Sequence, residues 1–155
     1  MDILVVLEDN HGSLHRMSRE AIVGAQKIGG TVSALAIGKN ADSMAAELSN
    51  IDIEDVITVK HDLISSYNAD GYTEVVKQVI EYESPNTIIA GHTYQTRDFM
   101  PKVSAKLDIP FIPDIVALDN GHFVKQVLNA KLNATVTASK DMCICLLYTS
   151  DAADE

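Results

Sequence analysis

At 155 residues the chain has the size of one domain with room for a real core, and 12 basic against 22 acidic side chains leave a formal net charge of −10. That balance excludes nucleic acid, whose phosphates need clustered lysine and arginine, and it equally excludes anionic membrane surfaces. No apolar run reaches membrane-spanning length and the start lacks the basic-then-apolar layout of a secretory leader, so no membrane insertion is expected and the protein is read as cytoplasmic, or as an organelle protein without its transit peptide.

Ile3–Leu7 is a continuous apolar run and reads as a central parallel strand. Leu14, Met17, Ala21, Ala25 and Ile28 then recur at helical spacing up to Gly29-Gly30. Val32–Ile37 is a second strand, Met44, Ala45 and Leu48 mark a short helix, and Asp55–Val59 is a third strand behind a solvated edge of Asp52, Glu54 and Asp55. Tyr72, Val75, Val76, Val79 and Ile80 predict a third helix, and Asn86–Ala90 a fourth strand closed by Gly91. Asp98 is placed as the cap of the next helix, with Pro101 in its first turn, where a missing N–H costs little. Phe99, Val103 and Leu107 form its apolar stripe, with Lys102 and Lys106 off it.

This alternation implies an α/β fold, a doubly wound, mostly parallel sheet with helices on both faces. Beyond Ile109 the pattern changes. Phe111–Leu118, His122–Leu128, Lys131–Thr137 and Met142–Leu147 read as strands without helices between them, and Asn120-Gly121 is a tight hairpin signal, so an antiparallel β ribbon is expected to follow. Cys143 and Cys145 lack the C-x-x-C turn of a metal or redox pair and are taken as strand residues on opposite faces.

In such a sheet, ligands bind beyond the strand C-termini where strand order reverses. With the order 3-2-1-4-5, that point lies between Glu8, Asp9, Asn10, His11 and Gly12 on one side and Gly91, His92, Thr93, Tyr94, Gln95, Thr96 and Arg97 on the other. A phosphate cradle wants several converging backbone N–H groups at a helix start. Here Gly91 stands alone, Glu8 and Asp9 repel phosphate, and Arg97 is one cation against two acids, so a degenerate, empty nucleotide fold is expected. His11, His15 and His92 invite a zinc site, but His11 and His15 straddle a turn and a helix start, and the three are read as surface histidines, like His61 and His122. No G-x-S-x-G and no Cys-His proximity is present, so no catalytic residue, cofactor-binding residue or metal ligand is assigned.

The stretch PNTIIAGHTYQTRDFMPKVSAKLDIPFIPDI, residues 85–115, resembles the N-terminal domain of the electron transfer flavoprotein alpha subunit family: a strand, an R-D-x-x-P turn-helix and a second strand. Gly91, Arg97, Asp98, Pro101, Ala105, Leu107 and Asp114 match, whereas Thr96 stands where the family has glycine and Lys102 where it has arginine. The opening, ILVVLEDNHGSLHRMSREAIVGAQKIGGTVSALAIG, is similar to the family's first strand, turn, long helix and second strand, and Gly121 to Ala138 resembles its later ribbon. The resemblance implies a sheet of the adenine-nucleotide alpha-hydrolase-like type over residues 1–146. It implies a fragment of an electron carrier rather than an enzyme, working with a beta subunit between dehydrogenases, such as those acting on acyl-CoA, and a quinone reductase or other acceptor. Flavin adenine dinucleotide (FAD) would be held mainly by a C-terminal domain absent from this sequence. Arg97 and Asp98 are the possible interdomain contacts. The alternative is a stress-type adenine-nucleotide-binding protein of the same topology. The terminal LLYTSDAADE resembles translated adapter read-through; residues 147–155 are read as a non-native or disordered tail, with no fold role for Tyr148–Glu155.

Overall fold

A computed structural model describes residues 1–119 and 121–148. The elements are β1 (Ile3–Val6), β2 (Asp9–Asn10), β3 (Ser13–Leu14), α1 (Arg16–Ile28), β4 (Val32–Ile37), α2 (Ala41–Ala46), β5 (Val56–Val59), a 3-10 turn (Asp62–Ile64), α3 (Ala69–Glu83), β6 (Thr87–Gly91), α4 (Tyr94–Leu107), β7 (Phe111–Asp119), β8 (His122–Val127), β9 (Leu132–Val136) and β10 (Cys143–Leu147). The main sheet runs β5-β4-β1-β6-β10-β7-β8-β9. It is parallel from β5 through β7, and β8 and β9 add an antiparallel extension. The α/β class and the order of the first four sheet strands are as the sequence implies.

The last strand is not part of the ribbon. β10 inserts between β6 and β7, parallel to both, with Ile144 opposite Ile88 and Phe111. Its composition explains the position. CICLL is apolar at every residue, and all five are buried, as suits a strand covered on both faces; β8 and β9, only partly covered, carry polar residues. Cys143 and Cys145 are corrected with it. They are residues i and i+2, so strand period places them on the same face; both belong to one core cluster and their Sγ atoms lie 3.7 Å apart.

Alternation sorts the core into two layers. Ile3, Val5, Ala34 and Cys145 face one layer with Ala21, Ile22 and Ala25 of α1. Leu4, Val6, Leu35 and Ile144 face the other with Val76 and Ile80 of α3 and Phe99, Met100 and Val103 of α4. Phe99 and Val103 are buried in the predicted stripe and Leu107 packs at its margin.

α4 begins earlier than expected. Thr93, not Asp98, is the cap. Its side chain accepts from Thr96 N while the Thr96 side chain accepts from Thr93 N, a reciprocal capping box. Pro101 therefore lies inside the helix, where no N–H is available for the carbonyl of residue 97. The tail boundary also moves. Leu147 is buried in β10, where a side chain at Gly24 would run into it. Tyr148 N donates to Ile115 O at 2.7 Å and its ring meets His92 edge-on at 5.5 Å. Both residues belong to the domain. Asn120 of the hairpin signal and residues 149–155 lie outside the described residues, although Asp119 pairs with His122 across the turn.

Two predictions follow from packing and backbone. Phe99 is 1 % exposed and rests against Tyr67 and Tyr72, so Phe99→Ala should cost about 3–5 kcal/mol in urea melts; a loss below about 1 kcal/mol would contradict this packing. The β8–β9 turn holds Leu128, Asn129 and Ala130 at φ of 53°, 55° and 64°. Left-handed backbone costs a residue with a Cβ about 1–2 kcal/mol, offset in part by the entropy glycine brings to the unfolded chain. Ala130→Gly should therefore raise the thermal midpoint slightly, and a clear drop would refute the strain.

Candidate functional site

The loops after β1 and β6 meet at the C-terminal rim of the sheet, at the expected switch point. Glu8 ties them together. Its N–H donates to Ser18 Oγ at 2.8 Å, its carbonyl accepts from His15 N at 2.9 Å, and its Oε2 accepts from Thr93 Oγ1 at 2.5 Å. Thr96 Oγ1 donates in turn to Gly91 O at 2.6 Å. Two amides at the start of α4, those of Thr93 and Thr96, are thus already taken by the capping box, and the Glu8 carboxyl holds the Thr93 hydroxyl. Asp9 is equally committed, accepting from Gly12 N and from Asn40 Nδ2, each at 2.8 Å. A phosphate would meet occupied donors and two acids.

Gly91 serves packing rather than ligand approach. A Cβ there would lie 2.5 Å from Met17 Cβ and 3.0 Å from Met17 backbone atoms, so glycine lets α1 lie close on β6. His92 N donates to Leu147 O at 2.8 Å, and its Nδ1 accepts from Asp114 N at 3.2 Å. That bond leaves the ring proton on Nε2. The Asp114 carboxylate, 3.4 Å from Nδ1, favours the imidazolium, but burial outweighs it and holds the His92 pKa below its ordinary value. His92 thus staples β6 to β7 and β10 as a neutral ring.

The three histidines do not converge. His11 is exposed, His15 caps α1 by accepting from Met17 N at 3.0 Å, and His92 lies in the strand seam. Among the described residues no group of three or more potential metal ligands is assembled. His61 caps the 3-10 turn, accepting from Leu63 N. Asp98 accepts from Tyr67 Oη at 2.5 Å, at the margin of an aromatic trio with Tyr72 and Phe99. Burial first, and the Asp98 bond second, push the Tyr67 phenol well above its usual range. Arg97 is exposed and, among the described residues, makes no ion pair, with neither Glu8 nor Asp9 as partner. Tyr94, one turn before it, is 92 % exposed. A separate groove of about 560 Å³ between α1 and β7–β8, lined by Val23, Ile28, Leu118 and Phe123 among others, is mostly apolar.

Sequence reasoning placed the switch point but missed its wiring. The Thr93-x-x-Thr96 spacing was the available signal for the capping box; the Glu8–Thr93 bond spans 85 positions and leaves no local trace.

Burial raises the Glu8 carboxyl above its usual pKa, against the Thr93 hydrogen bond and His15, which lower it. A raised carboxyl pKa means the folded state holds the proton more tightly than the unfolded chain, so its contribution is greatest in acid and is lost as pH rises through the folded value. Glu8→Gln keeps an acceptor for Thr93 without the ionisation. Its thermal midpoint should exceed that of the parent at pH 7 and converge with it below about pH 4; a lower midpoint at pH 7 would show that the charge itself is stabilising.

A family model described as the electron transfer flavoprotein domain matches residues 3–150. The electron transfer flavoprotein subunit alpha of Bacillus subtilis is 32 % identical over 146 residues, 90 % of this chain and 45 % of that protein. The subunit of the same name from Clostridium acetobutylicum is 26 % identical over 153 residues, 96 % of this chain and 44 % of its own length. The acryloyl-CoA reductase electron transfer subunit beta of Anaerotignum propionicum is 29 % identical over 122 residues, 76 % of this chain and 33 % of that protein. The chain thus spans less than half the length of these relatives. With an α/β sheet, a rim closed by its own side chains and this match along nearly its whole length, the chain belongs to the electron transfer flavoprotein family, on the alpha-subunit side.

Proposed function

We propose that this chain is the N-terminal domain of an alpha subunit and works as an assembly platform, not as a redox or catalytic centre. The observation that carries this reading is the closed switch point: Glu8 occupies the start of α4 through Thr93, while Tyr94 and Arg97 beside it stand exposed. Glu8, Thr93 and Thr96 are bonded to one another, while among the described residues Arg97 makes no ion pair. An adenine-nucleotide-binding role for the same topology is not favoured, because two of the amides it needs are capped.

In the intact protein, FAD is held mainly by a C-terminal domain rather than by this one. The domain then sits with a beta subunit, and the whole carries electrons from dehydrogenases, for example those acting on acyl-CoA, to a quinone reductase or another acceptor. No helix of the described residues is long and apolar enough to cross a membrane; the setting is the cytoplasm of a bacterium or, for a eukaryotic source, the mitochondrial matrix.

Arg97 and Asp98 are the assigned interdomain contacts. A guanidinium with no carboxylate partner among the described residues can make forked bonds across an interface, and Asp98 is tied to Tyr67. Arg97→Ala in a full-length alpha subunit should reduce heterodimer recovery on gel filtration while the isolated domain keeps its circular dichroism. Normal heterodimer with an unfolded isolated domain would make Arg97 an internal structural residue. The chain as given should purify colourless; a stoichiometric flavin band in its visible spectrum would overturn the platform reading.

A further inference from the structure

β7 changes neighbours partway along its length. Phe111, Ile112 and Ile115 pair with β10, whereas Ile115 to Asp119 pair with β8. At this handover the ladder to β10 slips. Cys145 faces Ile112 and Leu147 faces Ile115, so Pro113 and Asp114 together span the single Leu146. This is a β-bulge, a device that bends a strand. Asp114 stands at φ 60°, a left-handed backbone that few residues with a Cβ adopt. Proline has no N–H, so Asp114 carries the backbone donor of the bulge. That N–H donates to His92 Nδ1 at 3.2 Å. The ring that accepts it is only 8 % exposed and follows directly on β6, so a side chain of the parallel sheet holds the point where its antiparallel extension begins.

We propose that His92 is a pH-sensitive latch on this bulge: the neutral imidazole holds the Asp114 N–H, and the imidazolium lets it go and frees the hinge between the parallel sheet and its extension. Nδ1 accepts through a single lone pair. Once that lone pair carries a proton, two donors face each other and the bond is lost. The acceptor then within reach is the carboxylate of Asp114 itself, whose Oδ1 lies 3.4 Å from Nδ1. The charged ring thus exchanges a backbone bond for a side-chain one, and the left-handed residue loses the contact that fixes it.

The groups facing the ring set the direction. Burial disfavours the charged form most, Asp114 on β7 favours it, and Arg97 on α4 opposes it; from the end of β10 the ring meets Tyr148 edge-on. The balance lowers the His92 pKa. The unfolded chain therefore takes up the proton first. The latch contributes stability above the ordinary histidine value of about 6.5, and this is lost as pH falls through the lower folded value. The contacts lie within the sheet, and the inference is independent of the electron-transfer reading.

Nuclear magnetic resonance of the 155-residue chain tests this directly. At about pH 7.5 the His92 ring nitrogens should show the proton on Nε2, and the ring should titrate with a midpoint below about 6.5. Over that titration the Asp114 amide should lose about fivefold or more of its protection from hydrogen exchange, the loss of one hydrogen bond, while the Ile89 amide in β6 keeps its own. His92→Asn supplies an uncharged acceptor that does not titrate, so protection of Asp114 should persist in acid. Asp114→Asn tolerates the left-handed backbone but removes the carboxylate that favours the charged ring, so the His92 midpoint should move lower. A proton on Nδ1 at neutral pH overturns the proposal, as does a His92 midpoint at or above about 6.5. So do an Asp114 amide indifferent to pH, a His92→Asn chain that loses protection as the parent does, or a midpoint that Asp114→Asn raises or leaves unmoved. The parent spectra decide the matter even if the His92→Asn chain does not fold.

Discussion

Burial on both faces of the central strands governs the rest of this molecule. Every residue of β1, β4 and β10 is buried and all but Ser33 are apolar, so each face must be roofed. α1 roofs one side, and α3 with α4 the other. At about 1.5–3 kcal/mol for each fully buried Val, Leu, Ile or Phe, these layers contribute far more than any surface ion pair here, where the median worth is about 0–1 kcal/mol. Polar chemistry is confined to where strands end, which is why the Glu8, Thr93 and His92 contacts all lie at one rim.

That rim has the outline of a ligand crevice and the wiring of a joint. The carboxyl of Glu8, at the end of another strand of the same chain, accepts from the Thr93 hydroxyl that caps the helix start. Gly91, in a position suited to a phosphate loop, is needed because Met17 crowds it. The fold retains a nucleotide-binding topology while the side chains at its rim hydrogen-bond to one another.

Elements with strong period were legible. The four parallel strands up to residue 91, the long helices and the Phe99–Val103 stripe come directly from apolar spacing. Two local signals were ranked wrongly. Asp98 is a good cap by type, but the Thr93–Thr96 pair closes both ends of a capping box, and two mutual bonds prevail over one acid. The neighbours of Met142–Leu147 in sequence point to ribbon, but the unbroken apolar run Cys143–Leu147 belongs where both faces are covered. What the sequence could not reveal are contacts made across the fold, Glu8 with Thr93, Tyr67 with Asp98, His92 with Asp114, since nothing in the spacing of such residues marks them as partners.

The seat of β10 also bears on how the domain is made. On the ribosome, everything up to residue 142 emerges while the slot between β6 and β7 stands empty. The strands β5-β4-β1-β6 and β7-β8-β9 then exist as two half-sheets, each with a bare inner edge of backbone donors and acceptors. Only when Cys143–Leu147 has been translated can the halves join, through pairings up to 56 positions apart, Cys143 with Thr87. Late, non-local closure of this kind is slow, and the nascent chain must be kept from pairing its open slot with a neighbour in the meantime.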